Sequence, residues 1–127
     1  PLEEIYRSAP GIGPQAARIL SNELGDMAQF ESEKKLFSYT GLTPSEYSSG
    51  QHIRQGRISK QGNTSVRRIL ILCSWVAIGK DKSLGEIYSR LAKRAGGKRA
   101  IVAIARRLIG RIRACLLTGS LYELQAV

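Results

Sequence analysis

A segment rich in glycine and serine contains the side chains best suited to phosphate chemistry. Ser49 stands between Ser48 and Gly50, and a serine hydroxyl can attack a phosphodiester when a base or a metal removes its proton. The positive charge that this chemistry needs is available from five basic residues that follow, Arg54, Arg57, Lys60, Arg67 and Arg68. Serines beside glycine are also common turn residues, so residue types alone leave a reactive loop and an ordinary turn both open.

A second candidate site is Pro10-Gly11-Ile12-Gly13-Pro14, which resembles a helix-hairpin-helix motif. The glycines of that motif let backbone amides approach a phosphate, and the next helix offers the positive end of its dipole. Gly11 and Gly13 are therefore candidate phosphate contacts, and Arg18 lies one helical turn further on. The alternative is a tight turn without a ligand, and Gln15 stands where the motif often has a lysine.

A third basic cluster lies in the last two predicted helices. Arg99, Arg106 and Arg113 are spaced seven residues apart, which places them on one side of the final helix, opposite an apolar stripe. Arginine suits bidentate contact with phosphate and keeps its charge at any relevant pH. The alternative is a solvated face without a partner. The whole cluster consists of Lys93, Arg94, Lys98, Arg99, Arg106, Arg107, Arg111 and Arg113.

Charge and length restrict the class of protein. Lysine and arginine total 20 against 10 acidic residues, a formal net charge of +10, and this favours a polyanionic partner through counterion release. The chain of 127 residues is long enough to form a core of its own, so we expect a single domain over residues 1–127. We find no long apolar run and no signal segment, and therefore expect an intracellular protein with no membrane partner.

The residues themselves give no support for a metal site. His52 is the single histidine, and Cys73 and Cys115 lie in apolar helical stretches. This pattern is typical of reduced core thiols and does not match the spacing of zinc ligands. No metal ligand is therefore predicted.

Helical periodicity predominates along the chain. We expect a mainly α, compact helical domain with the helix-hairpin-helix-like motif near its N-terminus and a long Gly/Ser loop or small β-hairpin between Thr43 and Asn63. The fourth predicted helix is apolar nearly all round, so it should be the buried centre, with the apolar stripe of the last helix packed against it. The predicted helices are Leu2 to Arg7, Pro14 to Leu24, Ser32 or Glu31 to about Tyr39, Asn63 to about Gly79, Leu84 to Ala95 with Ser83 as its cap, and Arg99 to Leu117.

Taken in order, these motifs resemble the C-terminal domain of the IS116/IS110/IS902-type insertion-sequence transposases. In that family the N-terminal domain is a RuvC-like nuclease fold with a DEDD set of acidic residues, and a bridge RNA guides the enzyme. The resemblance covers nearly the whole chain. The matching segments are Pro10-Gly11-Ile12-Gly13-Pro14 with Ala17 and Leu20; Glu23-Leu24-Gly25-Asp26 with Phe30; Tyr39-Thr40-Gly41-Leu42-Thr43-Pro44; Ser49-Gly50; Gly56-Arg57-Ile58-Ser59-Lys60-Gln61-Gly62-Asn63; Arg67-Arg68 with Leu70; Tyr88; and Ala103, Ala105, Arg106 and Leu108.

The resemblance implies DNA recombination, in which the serine just before the loop glycine attacks a phosphodiester. In this sequence that serine is Ser49. The resemblance also implies a separate N-terminal domain that binds Mg²⁺, a structured guide RNA, a homo-oligomer, and a bacterial cytoplasmic, nucleoid-associated location. We expect no cofactor in this chain, which looks like a fragment of a longer protein and should be inactive in strand cleavage by itself.

Two other classes of protein fit part of the sequence. A helix-hairpin-helix DNA-binding accessory protein would explain the charge and the motif at Pro10 to Leu20, but not the ordered motifs from Gly41 to Asn63. An RNA-binding structural module would explain the density of arginine equally well. An acidic nuclease-like domain encoded upstream would distinguish the transposase from both.

Overall fold

Six helices and their connecting turns form the part of the chain that this computed structural model describes, residues 2–43 and 64–124. No strand occurs among these residues, and the mainly α prediction is confirmed. The predicted long loop or hairpin falls on residues 44–63, outside the described residues. The helices are α1 (Leu2–Ser8), α2 (Pro14–Leu24), α3 (Glu33–Thr40), α4 (Thr64–Lys80), α5 (Lys82–Ala95) and α6 (Gly97–Thr118).

Local sequence signals set the ends of α2 and α3 where the sequence predicts them. Pro14 occupies the first turn of α2, and Gly25 follows its last residue with a φ of 57°. At the start of α3, the Ser32 hydroxyl accepts a hydrogen bond from the Lys35 N–H at 3.3 Å. Gly41 ends α3 in the left-handed conformation, with a φ of 75°, which glycine adopts at little cost. These two helices therefore need only local signals to define their length.

The prediction that Ser83 caps the fifth helix is wrong. Helix α5 begins at Lys82, and Asp81 caps it by accepting a hydrogen bond from the Leu84 N–H at 3.2 Å. Aspartate and serine are both favourable at this position, so the residue types do not decide between them. Helix α4 ends at Lys80, so Asp81 lies between the two helices in the capping position.

The core forms where α6 packs against α4 and α5. The buried side of α6 includes Ile101, Leu108 and Ile112, as the apolar stripe predicts, and the expected packing of the last helix on the fourth is confirmed. The expectation that α4 is buried all round is wrong. Its described neighbours cover one side and leave three large apolar side chains on the other, Leu72, Trp75 and Val76.

The side chain of Asp81 joins four parts of the chain. It is fully buried, and its Oδ2 accepts a hydrogen bond from the Tyr122 hydroxyl at 2.8 Å and lies 3.4 Å from Nη1 of Arg111. Arg111 Nη2 donates to the Ser83 hydroxyl at 3.0 Å, and the Tyr122 backbone N–H donates to the Ser8 hydroxyl at 2.9 Å. Helix α1, the start of α5, the middle of α6 and the chain after α6 are thereby connected.

The turn between α1 and α2 lies directly against α4. Gly11 has a φ of +81°, and a β-carbon at this position would lie 2.4 Å from the Cys73 carbonyl oxygen and 3.0 Å from the Ala77 nitrogen. Both the backbone conformation and the available space therefore require glycine. Helices α1 and α2 pack against each other on either side of this turn. Its assignment as a helix-hairpin-helix motif stays a prediction.

We expect Gly11→Ala to lower the free energy of unfolding by about 2 to 4 kcal/mol, because the β-carbon meets backbone atoms of α4 and the left-handed conformation becomes strained. Gly13→Ala is the matched control, since Gly13 has a φ of −85° and nothing lies within 4 Å of an added β-carbon; it should cost less than about 1 kcal/mol. Urea denaturation followed by circular dichroism measures both values. Equal losses in the two variants would contradict the close contact.

A second prediction concerns pH. Burial raises the pKa of the Tyr122 phenol from its ordinary value of 10.0 to about 12, with the hydrogen bond to Asp81 acting in the same direction and Arg111 opposing it. The folded protein therefore keeps this proton at pH values where the unfolded chain has lost it. The stabilisation from the protonated phenol is complete below the unfolded pKa and is lost as the pH rises through the folded pKa.

The free energy of unfolding should accordingly fall between pH 10 and about 12, and it should fall less steeply in Tyr122→Phe. Burial also raises the pKa of Tyr6, so some pH dependence persists in the variant and the slopes are what must be compared. Urea titrations at several pH values provide them. Parallel curves for the two proteins would show that Tyr122 does not contribute.

Candidate nucleic-acid interface

The groove between the end of α4 and one face of α5, called here the α4–α5 groove, is lined by four exposed cations. One of them, Lys80, ends α4, and the other three, Lys82, Arg90 and Lys93, are on α5. The three on α5 recur at helical spacing, so they share one face. Of the described residues in the lining, Glu86 is the one that carries a carboxylate. The α4–α5 groove therefore presents several ammonium and guanidinium groups to solvent, as contact with a phosphate backbone requires.

Sequence reasoning included Lys93 in the C-terminal basic cluster but missed Lys80, Lys82 and Arg90. A signal was present in the spacing of Lys82, Arg90 and Lys93, which places them on one side of a helix. Lys80 belongs to the preceding helix, and the turn at Asp81 brings it to the same groove. No pattern within a single helix could have identified that neighbour.

Two of the arginines predicted to bind nucleic acid donate hydrogen bonds to the backbone at the end of α3. Arg67 Nε donates to the Gly41 carbonyl at 3.1 Å, and Arg106 Nη1 donates to the Leu42 carbonyl at 2.8 Å. Carbonyl groups at the end of a helix have no partner within it, so they favour such donors. Arg67 and Arg106 therefore fix the chain that leads out of α3.

Arg113 has a similar position, since its Nη2 donates to the Phe30 carbonyl at 3.3 Å. The prediction that Arg106 and Arg113 lie on an open face opposite the core is therefore wrong. Their seven-residue spacing does place them on one side of α6, but α3 and the turns beside it cover that side, and both residues are half-buried. Arg99, near the start of α6, is exposed. A role for any of the three in binding nucleic acid stays a prediction.

A second groove, between α3 and α6, has a mixed charge. Arg107 is exposed in it, but Arg111 is already engaged with Asp81. The Glu33 carboxylate also lies in this groove, close over Gly110, where a β-carbon would come within 2.6 Å of its Oε2. Among the described residues of this groove, Arg107 is the exposed cation beside Glu33, whereas four exposed cations accompany Glu86 in the α4–α5 groove, so this groove is less favourable for a phosphate.

Near the N-terminus, the structure separates the residues that the sequence grouped together. Gly11 contacts α4 and so has a structural role, whereas Gly13 is exposed at the N-terminus of α2. The Arg18 side chain is 74% exposed, and its Nε lies 3.9 Å from an oxygen of the partly exposed Glu3. An exposed pair at that distance contributes little. Gly13 and Arg18 therefore stay accessible to a ligand.

The segment that contains the predicted nucleophile is not among the described residues. Ser49 and the cations Arg54, Arg57 and Lys60 all lie within 44–63. Of the two cations that follow it, Arg68 is exposed and Arg67 is bonded to Gly41. The hydrogen bond between Arg67 and Gly41 brings together the two flanks of that segment.

Residues 2–43 and 64–124 can also be searched for features that would bind a metal ion or cross a lipid bilayer. Within them, no group of three or more histidine, cysteine, aspartate and glutamate side chains is arranged to hold a metal ion. Asp81, the fully buried acidic residue among them, already has its oxygens engaged by Leu84, Tyr122 and Arg111. No helix in these ranges is both long and apolar enough to cross a lipid bilayer.

The described residues thus define a basic helical domain with an accessible cationic groove. Hydrogen bonds from two arginines hold the chain that follows α3. Residues 3–89 match the model of the transposase IS116/IS110/IS902 family, which is more than half of the chain. The chain belongs to this family of transposases.

Individual relatives agree with this assignment. The chain is 32% identical to the 43.6 kDa protein of insertion element IS110 from Streptomyces coelicolor, over 97% of this chain and 31% of that protein. A putative transposase, y4qE, from Sinorhizobium fredii is 35% identical over 82% of this chain and 33% of its own length. The pilin gene-inverting protein of Moraxella bovis is 32% identical over 83% of this chain and 34% of its length. The chain thus spans about a third of these relatives. No solved structure gives a significant match.

If the α4–α5 groove binds a phosphate backbone, its cations should determine the salt dependence of DNA binding. We expect the double variant Arg90→Gln, Lys93→Gln to make the slope of log K against log salt shallower by about 2, since each lost phosphate contact removes about 0.9 from the slope. Fluorescence anisotropy with a labelled duplex at several salt concentrations measures it.

The matched control for this prediction is Lys34→Gln, Lys35→Gln, which removes the same charge from exposed positions on α3. It should change the slope much less. Equal changes in the two double variants would mean that net charge, and not the α4–α5 groove, determines binding.

Proposed function

We propose that this chain is the DNA-binding and strand-transfer domain of a transposase that cuts and rejoins DNA by means of a serine. Membership of the family carries the proposal, because the matched range, residues 3–89, includes the segment with Ser49. The names of the relatives point in the same direction. They include a putative transposase and a protein that inverts a pilin gene, and both activities rearrange DNA.

The α4–α5 groove supports the DNA-binding part of the proposal. Its four cations are exposed, and none of them takes part in the buried network around Asp81. Lysine and arginine contacts to phosphates position a protein on DNA but do not read bases. This domain therefore binds with little sequence preference, and the choice of target depends on another component. The guide RNA implied by the resemblance would fill that role.

Ser49 supplies the chemistry in this proposal. Its hydroxyl oxygen attacks the phosphorus atom of a phosphodiester, a serine–phosphate ester forms, and the bond from phosphorus to one deoxyribose oxygen breaks. The serine proton passes to a base, and the departing oxygen takes up a proton. Positive charge near the phosphate stabilises the transition state. Arg54, Arg57, Lys60 and Arg68 are the residues proposed to supply that charge.

Arg67 and Arg106 have a different part in the proposal. Both donate to carbonyls just before residue 44, and Arg67 itself stands in the first turn after residue 63. They act as positioning residues that hold the flanks of the serine segment against the helical core. Both side chains donate to the backbone, and the prediction that they also contact phosphate stays part of the proposal.

The remaining components of the reaction belong to this proposal as well. Residues 1–127 form the C-terminal domain of the transposase, and the acidic residues that hold Mg²⁺ lie in a separate nuclease-like domain. The complete enzyme acts as a homo-oligomer in the bacterial cytoplasm, where it associates with the nucleoid. The fraction of each relative that this chain covers, about a third, agrees with a domain of a larger enzyme.

The test uses a recombination-competent protein that contains this sequence. Ser49→Ala should abolish both the covalent protein–DNA adduct and strand exchange, while DNA affinity stays within about twofold, since one neutral hydroxyl adds little to charge-driven binding. Denaturing gel electrophoresis of labelled DNA detects the adduct. Ser48→Ala is the matched control and should keep it. Recombination by Ser49→Ala, or loss of the adduct in Ser48→Ala alone, would refute the assignment.

A further inference from the structure

The outward side of α4 carries an apolar surface that no described part of the chain covers. Leu72 is 61% exposed, Trp75 46% and Val76 48%. Their spacing, i, i+3 and i+4, places them side by side on one face of the helix. The opposite side of α4, with Leu70 and Ala77, is buried in the core. This surface, called here the α4 outer face, is therefore an apolar helix stripe that the described residues leave largely exposed.

The composition of the α4 outer face is typical of a protein–protein contact. Tryptophan is enriched among the residues that contribute most to binding energy, and contiguous exposed apolar side chains mark interaction sites. The Trp75 ring is also held in place, because it makes an edge contact with the Tyr88 ring at a centroid distance of 5.6 Å and an interplanar angle of 68°. A side chain that is already ordered loses less conformational entropy on binding.

The shape of the α4 outer face fits a helix. Gly79 continues the stripe one turn beyond Trp75, is exposed, and has nothing within 4 Å of an added β-carbon. The space above it can therefore accept a large side chain from a partner. From Ser65 to Gly79 the face is about 21 Å long at 1.5 Å per residue, which corresponds to a partner helix of about four turns.

Charge selects among the possible occupants. Arg68 borders the α4 outer face on one side and Lys80 on the other, both exposed, and α4 contains no acidic residue. In an antiparallel pair of two copies, Arg68 would approach Lys80 of the second copy, and in a parallel pair each cation would approach its equivalent. Both arrangements bring like charges together, which opposes association. Carboxylates on the partner would be attracted at both ends.

Nucleic acid fits this face less well than a protein does. Trp75 alone could stack on a base, but Leu72 and Val76 stand beside it on the same surface and offer nothing to a phosphate or a sugar hydroxyl. Burying those two aliphatic side chains is favourable against other apolar groups. The three residues together therefore favour a protein partner.

We infer that the α4 outer face binds an amphipathic helix whose apolar stripe is flanked by carboxylates, presented by a polypeptide other than residues 2–43 and 64–124. Leu72, Trp75 and Val76 form the centre of the contact, and Arg68 and Lys80 attract the acidic ends. This site lies on the side of α4 away from the core and requires no catalysis by Ser49, so it goes beyond the proposed function. Its end at Gly79 and Lys80 also lines the α4–α5 groove.

The test uses the intrinsic fluorescence of Trp75, the only tryptophan in the sequence. The probe is a synthetic 15-residue helical peptide with leucines at i, i+3, i+4 and i+7 and glutamates in its first and last turns. Its binding should shift the Trp75 emission to shorter wavelength in a saturable manner. A peptide with the same leucines and with lysines in place of the glutamates should bind at least tenfold more weakly, because it meets Arg68 and Lys80 with like charge.

Two variants of the complete chain localise the contact. Leu72→Ser should weaken binding of the glutamate peptide by about tenfold or more, as expected for a central interface residue. Leu117→Ser is the matched control, since Leu117 is an equally apolar residue, 55% exposed on α6, and it should leave affinity unchanged. Both positions are exposed, so the variants should keep the wild-type circular dichroism spectrum and melting temperature.

Several outcomes would overturn the inference. They are absence of binding by the glutamate peptide, equal binding of the two peptides, and equal effects of the two leucine variants. A Trp75 emission shift that depends on protein concentration alone would identify a second copy of the chain as the occupant. Competition by a single-stranded oligonucleotide for the same shift would identify a nucleic-acid site.

Discussion

The arrangement of the basic surface depends on one buried carboxylate. Asp81 caps α5, accepts a hydrogen bond from Tyr122 and pairs with Arg111. Removing a carboxylate from water costs several kcal/mol, and the cost is offset only where partners are well placed. Here the partners come from separate parts of the chain, so their relative positions are constrained together. The same turn places Lys80 beside Lys82, and the geometry of the α4–α5 groove follows from it.

The positive charge of this chain has two uses that a count of residues does not separate. Arg67, Arg106, Arg111 and Arg113 donate to groups within the fold and are half-buried. Such arginines replace the hydrogen bonds that backbone carbonyls and hydroxyls lose on leaving water. The exposed lysines and arginines of the α4–α5 groove are not needed to replace such hydrogen bonds. A ligand can therefore approach the second group without first breaking the tertiary structure.

How far the sequence predicts this structure depends on how local the determining interaction is. The ends of α2 and α3 follow from Pro14, Gly25, Ser32 and Gly41, and the structure agrees. The apolar stripe of α6 was also predictable, because burial follows helical periodicity. The capping role of Asp81 was not predictable, because whether Asp81 or Ser83 caps α5 depends on partners that are far away in the sequence. Spacing could not give the orientation of the α6 arginines either, because it shows which residues share a side but not what covers that side.

The hydrogen bond between Arg67 Nε and the Gly41 carbonyl joins two residues that are 26 positions apart, one on each side of residues 44–63. Holding two distant points of a chain together has an entropic cost, and here the folded core meets that cost through a guanidinium that is itself half-buried. The end of α3 and the first turn of α4 are therefore presented at one fixed separation in every copy of the domain.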